Sequence, residues 1–559
     1  MIDWVGAGGC ALWITGLAVM VAAVSHAVWV AGEHRTALKS VLGAPGYQWA
    51  FHGGLAALCA GVACGAPVPW QRLAWAALAL LFTAVGLQER RRGTGQVSLL
   101  IPAAAVETGE APETAHPEQV RPWRSVLDAV RNVELCLVLA ALPFLILSTP
   151  YSGWAAAAIL VLWLLRLAPG GRLRRTPVDL AVLGLLAMLA VTRWTTVDLA
   201  LTQPALYRLL GGVALFVAVA EWAASPRRQV LPATLLVLSG VGLALVSFLM
   251  DTGWHASRFF NARSILAKLP RLGKPLFAED LNSNVLGAGL MLVIPVAVAL
   301  LLEPLPGGLR TAARRLGLAL AVLWMGAVLV LAQSRASFVA LAAALAVMAG
   351  LRWRWARCAV VLTCLAAALW LWQGGAPRLQ MLADTFSSTG TISSLASRQE
   401  VWSRAIYAIQ DFPFTGIGLG AFDRIQPLLY PFFLTTAQVH HAHNLYLQVA
   451  VDLGLPALVS YLAIVFSAFY ATWQALDSVL RTAAREKVGR ESPQAGKGNP
   501  ARGALLFGAL GSQVAWLVHG LMDDGIWASK LSFLPWLVLG LAVALTSRVV
   551  GEPKGGAPA

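Results

Sequence analysis

Apolar stretches of about the length that crosses a bilayer recur along this whole chain, and they decide what it can fold into. A hydrocarbon core about 30 Å thick needs about 20 apolar residues as a helix, the form that satisfies its own backbone polar groups. Fifteen such stretches can be drawn, from 4–31 and 48–65 through 358–373 to 443–471, 504–522 and 531–547. Of the 559 residues, 58% are hydrophobic and only 12% charged, and the mean hydropathy is +0.69. The expectation is an all-α, polytopic integral membrane protein with roughly 12 to 15 transmembrane helices. A water-soluble domain of this composition is excluded. The first stretch lacks a basic leader and a small-residue cleavage site, so it reads as a retained span. The six cysteines lie in or beside apolar runs without zinc-site spacing and read as small buried hydrophobes.

The formal charge of +15 does not imply nucleic acid. The basic residues fall mainly in short connections such as "QERRRG", "GGRLRR", "GGLRTAARR" and "LRWRWAR", and in the segment 477–503. All of these land on one side of an alternating path, which the positive-inside rule makes cytoplasmic. The N-terminus then faces out and the C-terminus in. Residues 93–120 and 483–503 read as flexible cytoplasmic linkers. Two long segments, 250–281 and 374–442, fall on the outer face, the second with Arg378, Arg398, Arg404 and Arg424. Arg335 lies at the outer end of a span. Basic residues there run against the charge rule, so an anion such as a phosphate or diphosphate is their expected ligand, with lipid head groups the alternative.

The stretch "HHAHNLYLQVAVDLGL", 440–455, sets three imidazoles within four residues where an apolar run begins. In a helix starting near His443, the residues Asn444, Gln448 and Asp452 follow at i, i+4 and i+8 and share one face. Asp452 reads either as a functional carboxylate or as one bonded to a neighbouring helix. The HHxH spacing lacks an accompanying carboxylate motif, so no metal is expected, and His440 and His441 read as loop residues. Asp280, Asn282 and Asn284 stand at the mouth of a span, where they contact a ligand or cap a helix. His519, Asp523 and Asp524 sit at the outer end of the penultimate span, where they orient a base, bind a ligand or are simply solvated. "GIGLG", 416–420, has no strand before it and reads as a turn rather than a dinucleotide loop. The 22 tryptophans read mostly as interface anchors.

The ordered set "EDLNSNVLG" (279–287), "QSRAS" (333–337), "RQEVWSRAIYAIQDFPFTGIGLGAF" (398–422), "HAHNLYLQVAVDLGL" (441–455) and "HGLMDD" (519–524) resembles the O-antigen ligase and polymerase superfamily. The family pattern of His, then Asn, Ser or Gln, nine residues and Gly is met by His443, Asn444 and Gly454. It departs at Ala457, where Gly, Thr or Tyr is usual. The resemblance starts near residue 177, and the chain divides into a transmembrane extension and linker, 1–131, and a ligase-like transmembrane domain, 132–559. That domain would carry 250–281 and 374–442 as periplasmic segments, the larger just before the His443 helix.

What the resemblance implies is a multi-pass glycosyltransferase of the bacterial inner (plasma) membrane with its active site facing the periplasm. It would take a glycan from an undecaprenyl diphosphate-linked donor and pass it to a hydroxyl of the lipid A core or another glycan acceptor. Membrane lipids would be its surroundings, nucleic acid no partner, and no nucleotide, cofactor or metal would be needed. Arg335 and Arg398 match the family's motif arginines and would hold the diphosphate, while His443 would be the base. Asn282, Asn444, Arg404, Gln448 and Asp523 would contact substrate. Ligase is the first reading. Polymerase and protein O-oligosaccharyltransferase stay open within the class, and a multispan transporter outside it.

Overall fold

The computed structural model describes residues 3–94, 123–167, 174–225, 228–249, 282–303, 308–386, 395–433, 439–487 and 500–546. Among them there are nineteen helices and no strand. Nine of these helices are long and apolar enough to cross a membrane, and three shorter apolar ones accompany them. The segment 250–281, with Asp280, lies outside the described residues, as does most of the 93–120 and 483–503 linkers.

The N-terminal helices are α1 (Trp4–His34), α2 (Leu38–Leu42), α3 (Pro45–Gly65) and α4 (Pro69–Thr94). Asp3 caps α1 by accepting from Val5 N and Gly6 N, and Pro45 opens α3, where its missing N–H costs nothing. α1 and α3 meet backbone to backbone, because a Cβ on Gly54 would stand only 2.8 Å from the Gly16 carbonyl oxygen. Small residues allow such close approach where no hydrophobic force drives helices together in lipid.

Next come α5 (Trp123–Leu147), α6 (Ser152–Leu167), α7 (Asp179–Thr195), α8 (Leu199–Trp222) and α9 (Val230–Leu249). Since α5 begins at Trp123, a domain boundary at 131 falls inside a helix. The buried Arg166 ties three of them together, with Nη2 2.8 Å from Glu134 Oε2 and Nη1 3.9 Å from Glu221 Oε1.

The centre of the bundle is α10 (Ser283–Leu301), flanked by α11 (Leu309–Ala332) and α12 (Arg335–Arg352). From Leu286 to Ala297 every residue of α10 is buried, as a helix apolar all round requires. Peripheral helices do the reverse and expose apolar side chains, Leu73 and Leu80 on α4 among them, as a lipid-facing surface does.

The C-terminal part runs α13 (Arg354–Phe386), α14 (Leu395–Asp411), α15 (Phe422–Leu429), α16 (Leu445–Leu453), α17 (Leu455–Lys487), α18 (Pro500–Gly520) and α19 (Phe533–Thr546). Two expectations change here. The stretch 358–373 is only part of α13, which continues to Phe386 and into the segment read as an outer loop from 374. The stretch 443–471 is not one span but α16 and α17, parted at Gly454. Gly454 has φ +82, and a Cβ there would meet the backbone carbonyl carbon and oxygen of Phe414, each at 2.6 Å. A helix cannot continue through that geometry, so the break is local chemistry rather than a packing accident.

Candidate active site

At one end of the bundle four pieces converge: the loop before α16, the turn between α18 and α19, the start of α12, and α14. The loop is set by its own sequence. Asn444 caps α16, its Oδ1 accepting from Tyr446 N at 3.0 Å and Leu447 N at 3.1 Å. The residue before it, His443, takes φ +48, a left-handed conformation uncommon outside glycine. Such a conformation costs on the order of 1 kcal/mol and persists where surrounding contacts fix it.

Those contacts come from the end of α18 and the turn that follows it. Asn444 Nδ2 donates to Leu521 O at 3.1 Å, and Tyr446 Oη donates to Leu517 O at 2.8 Å, so the start of α16 is pinned to the end of α18. The turn that follows brings two buried carboxylates under the imidazoles. His443 Nδ1 lies 3.4 Å from Asp523 Oδ1. His441 Nδ1 lies 2.5 Å from Asp524 Oδ1 and 4.0 Å from Asp523 Oδ1. These are ion-pair approaches rather than aligned hydrogen bonds. The two imidazole rings are 4.1 Å apart at their centroids.

His519 completes the group from the last turn of α18, buried, with neither ring nitrogen hydrogen-bonded among the described residues. Asp523 is buried, which alone would raise its pKa. The imidazoles of His443, His441 and His519 override that and hold it far below the ordinary carboxylate range. Burial would lower His441, but Asp524 first and then Asp523 push it up to about 9.

The arginines stand beside these carboxylates. Arg398 donates through Nη1 to Met522 O at 3.2 Å, while its buried Nε has no hydrogen-bond partner among the described residues. Its pKa is lowered by burial and by the nearby Arg335, and raised by Asp523, so all three charges share one neighbourhood. Arg335 opens α12. The turn also packs onto α10, since a Cβ on Gly525 would lie 3.5 Å from Val285 Cα.

The structure therefore brings together His443, Asp523, Asn444, Arg398 and Arg335. The other candidates lie differently. Asn282 is exposed and caps α10, its Oδ1 accepting from Asn284 N at 2.8 Å. Arg404 stacks over Tyr407 and Phe433, with guanidinium carbon to ring centroid distances of 5.8 and 5.2 Å, and lies 3.8 Å from Glu400. Gln448 is buried, its Oε1 accepting from Ala442 N at 2.7 Å and its Nε2 donating to Asp452 Oδ1 at 2.9 Å.

Reading the sequence alone missed His441, which looked like His440. The two differ because His440 is exposed and pairs at 3.4 Å with Asp423 outside the cluster. The available signal was "MDD" itself, two consecutive carboxylates able to face two imidazoles.

Three of these groups, His441, His443 and Asp523, offer ligand atoms within 4.8 Å of one another, close enough for a divalent cation to bridge them. The same atoms already stand at ion-pair distance from one another, His443 Nδ1 3.4 Å and His441 Nδ1 4.0 Å from Asp523 Oδ1. With Nδ1 of His443 turned to the carboxylate, Nε2 is the nitrogen left to face a substrate.

A family model described as O-Antigen ligase matches residues 320–462. The matched region contains Arg335, Arg398, Arg404, His443, Asn444 and Gln448 and ends before the carboxylates of the α18–α19 turn. No curated protein matches the chain.

Proposed function

From the match of residues 320–462 to a family model described as O-Antigen ligase, we propose that the chain transfers a glycan from an undecaprenyl diphosphate carrier to an acceptor hydroxyl at the periplasmic face of the bacterial inner membrane. The lipid A core is the first acceptor to test. The observation that carries this reading is the pairing of His443 with Asp523, at 3.4 Å, beside the guanidinium of Arg398.

In the reaction the acceptor oxygen forms a bond to the anomeric carbon while the bond from that carbon to the diphosphate oxygen breaks. The bonding electrons leave with the carrier diphosphate. His443 Nε2 takes the hydroxyl proton, and Asp523 stabilises the imidazolium formed, as a carboxylate behind a base does. Arg398 and Arg335 meet the charge gathering on the leaving group, a task that suits planar guanidinium groups able to hold phosphate oxygens bidentately. Neither role calls for a metal.

The test uses the purified full chain in lipid nanodiscs, a carrier-linked glycan and an acceptor glycolipid. His443→Ala should slow transfer by about 100-fold to 10,000-fold without a matching loss of donor affinity. Elongated carrier-linked product in place of glycolipid would make the protein a polymerase. Loss of wild-type activity to a chelator, restored by zinc, would replace the base with a metal site. Absence of any glycan product, with flux of a solute across the bilayer, would move it to the transporters.

A further inference from the structure

Asp452 is buried, yet it touches neither imidazole. Its carboxylate accepts three hydrogen bonds: from Trp527 Nε1 at 2.9 Å, from Gln448 Nε2 at 2.9 Å and from Gly420 N at 3.3 Å. Followed outward, two of these bonds form a closed circuit. Trp527 N donates to Asp524 O at 2.7 Å, which ties the tryptophan to the carboxylate turn. Gln448 Oε1 accepts from Ala442 N at 2.7 Å, and Ala442 is the residue between His441 and His443. The circuit therefore runs from Asp524 through Trp527, Asp452 and Gln448 to Ala442, and closes where the imidazoles meet Asp523 and Asp524.

We propose that Asp452 is a positioning residue, the acceptor at which the backbone of the imidazole loop and the backbone of the carboxylate turn are locked in register, so that His443 is held against Asp523. The assignment rests on the glycosyltransfer reading for its kinetic consequence but not for its structural one. A carboxylate suits the place because every group facing it is a donor, and an acceptor-only side chain satisfies all three without a misplaced hydrogen. The third bond, to Gly420, brings in the turn after α14. That turn is itself fastened to α16 by Ile417 N donating to Val451 O at 2.8 Å.

The test exchanges the two side chains. In Asp452→Asn an amide NH₂ must face a donor, so the circuit opens. In the double variant Asp452→Asn with Gln448→Glu the glutamate accepts from Ala442 N and from the new amide, whose oxygen accepts from Trp527, so the circuit closes again with the charge one turn away and only the Gly420 N bond, which shares Oδ1, is lost. Two readouts are taken on the full chain in nanodiscs: steady-state transfer, and hydrogen–deuterium exchange of the 439–444 and 521–532 segments.

The single Asp452→Asn variant should lose about ten- to hundredfold in kcat, the scale of a misplaced catalytic group, with donor KM within about threefold. Exchange should rise in those two segments only, and the swap should bring both readouts back to within about threefold of wild type. If Asp452→Asn does not accumulate, Trp527→Phe opens the circuit at another bond and should show the same signature.

Wild-type kcat in the single variant, or a swap that folds yet leaves both kcat and the exchange of the two segments where the single variant left them, overturns the proposal. A wild-type protein that makes no glycan product refutes the parent reading instead, and the exchange arm still decides whether Asp452 locks the two segments.

Discussion

Replacing Asp523 by Asn removes a charge and almost no volume, which makes it the sharpest test of the acid–base pair. The three imidazoles around Asp523 keep it ionised at any workable pH, so the substitution deletes a full charge under every assay condition. At the 3.4 Å separation from His443 Nδ1, an effective dielectric near 20 gives a Coulomb attraction for the imidazolium of about 5 kcal/mol. Only the part absent from the ground state affects the rate, and if half is realised in the transition state the loss is about 2.5 kcal/mol, or roughly two orders of magnitude. Misorientation of the ring adds to this, so kcat should fall about 100-fold to 10,000-fold with donor KM little changed. The assay is single-turnover transfer from a saturating carrier-linked donor, at matched levels of folded protein. Because the pair acts as one unit, combining Asp523→Asn with His443→Ala should cost no more than His443→Ala alone. Losses that multiply, or an Asp523→Asn enzyme within threefold of wild type, would refute the coupling.

Arg398→Lys should reduce transfer about 10- to 100-fold, because an ammonium cannot hold Met522 O and still present a planar fork to a diphosphate; full activity at normal protein levels returns this arginine to the lipid head groups. The His441–Asp524 contact predicts a pH-dependent stability of definite sign. The folded pKa of about 9 lies above the ordinary 6.5, so the contribution is full below 6.5 and lost as pH rises through 9. The thermal midpoint in detergent should fall across that window, and His441→Gln should flatten the curve there. Gly454→Ala combines a left-handed backbone with a Cβ against the backbone of Phe414, and should destabilise the protein by about 2 to 5 kcal/mol in denaturant unfolding; a loss under 1 kcal/mol would show that the α16–α17 break is not enforced at this residue.

Hydropathy made the transmembrane helices legible, because lipid asks only for length and apolarity and both are local properties. The face shared by Gln448 and Asp452 was legible for the same reason, since a helical period is read within one segment, whereas Asn444 stands before the helix as its cap. The i, i+4 pair even bonds as that period requires, Gln448 Nε2 to Asp452 Oδ1 at 2.9 Å. The helix itself starts at Leu445, two residues after His443, with Asn444 as its cap, which frees His443 to adopt its left-handed turn.

Partners from other segments were a different matter. Asp452 bonds Trp527 and His441 meets Asp524, each separated from its partner by more than a whole helix of sequence. Trp527 is the instructive case. Among 22 tryptophans in a membrane protein the default reading is an interfacial anchor, but the indole N–H of Trp527 is spent on a buried carboxylate. What distinguishes it is not its own neighbours in sequence but the acceptor, since a carboxylate buried to this depth must find donors. A buried Asp read from sequence thus already demands an N–H from some other segment. Indole is well suited to supply one inside an apolar bundle, because it donates a single hydrogen bond while burying the rest of its surface.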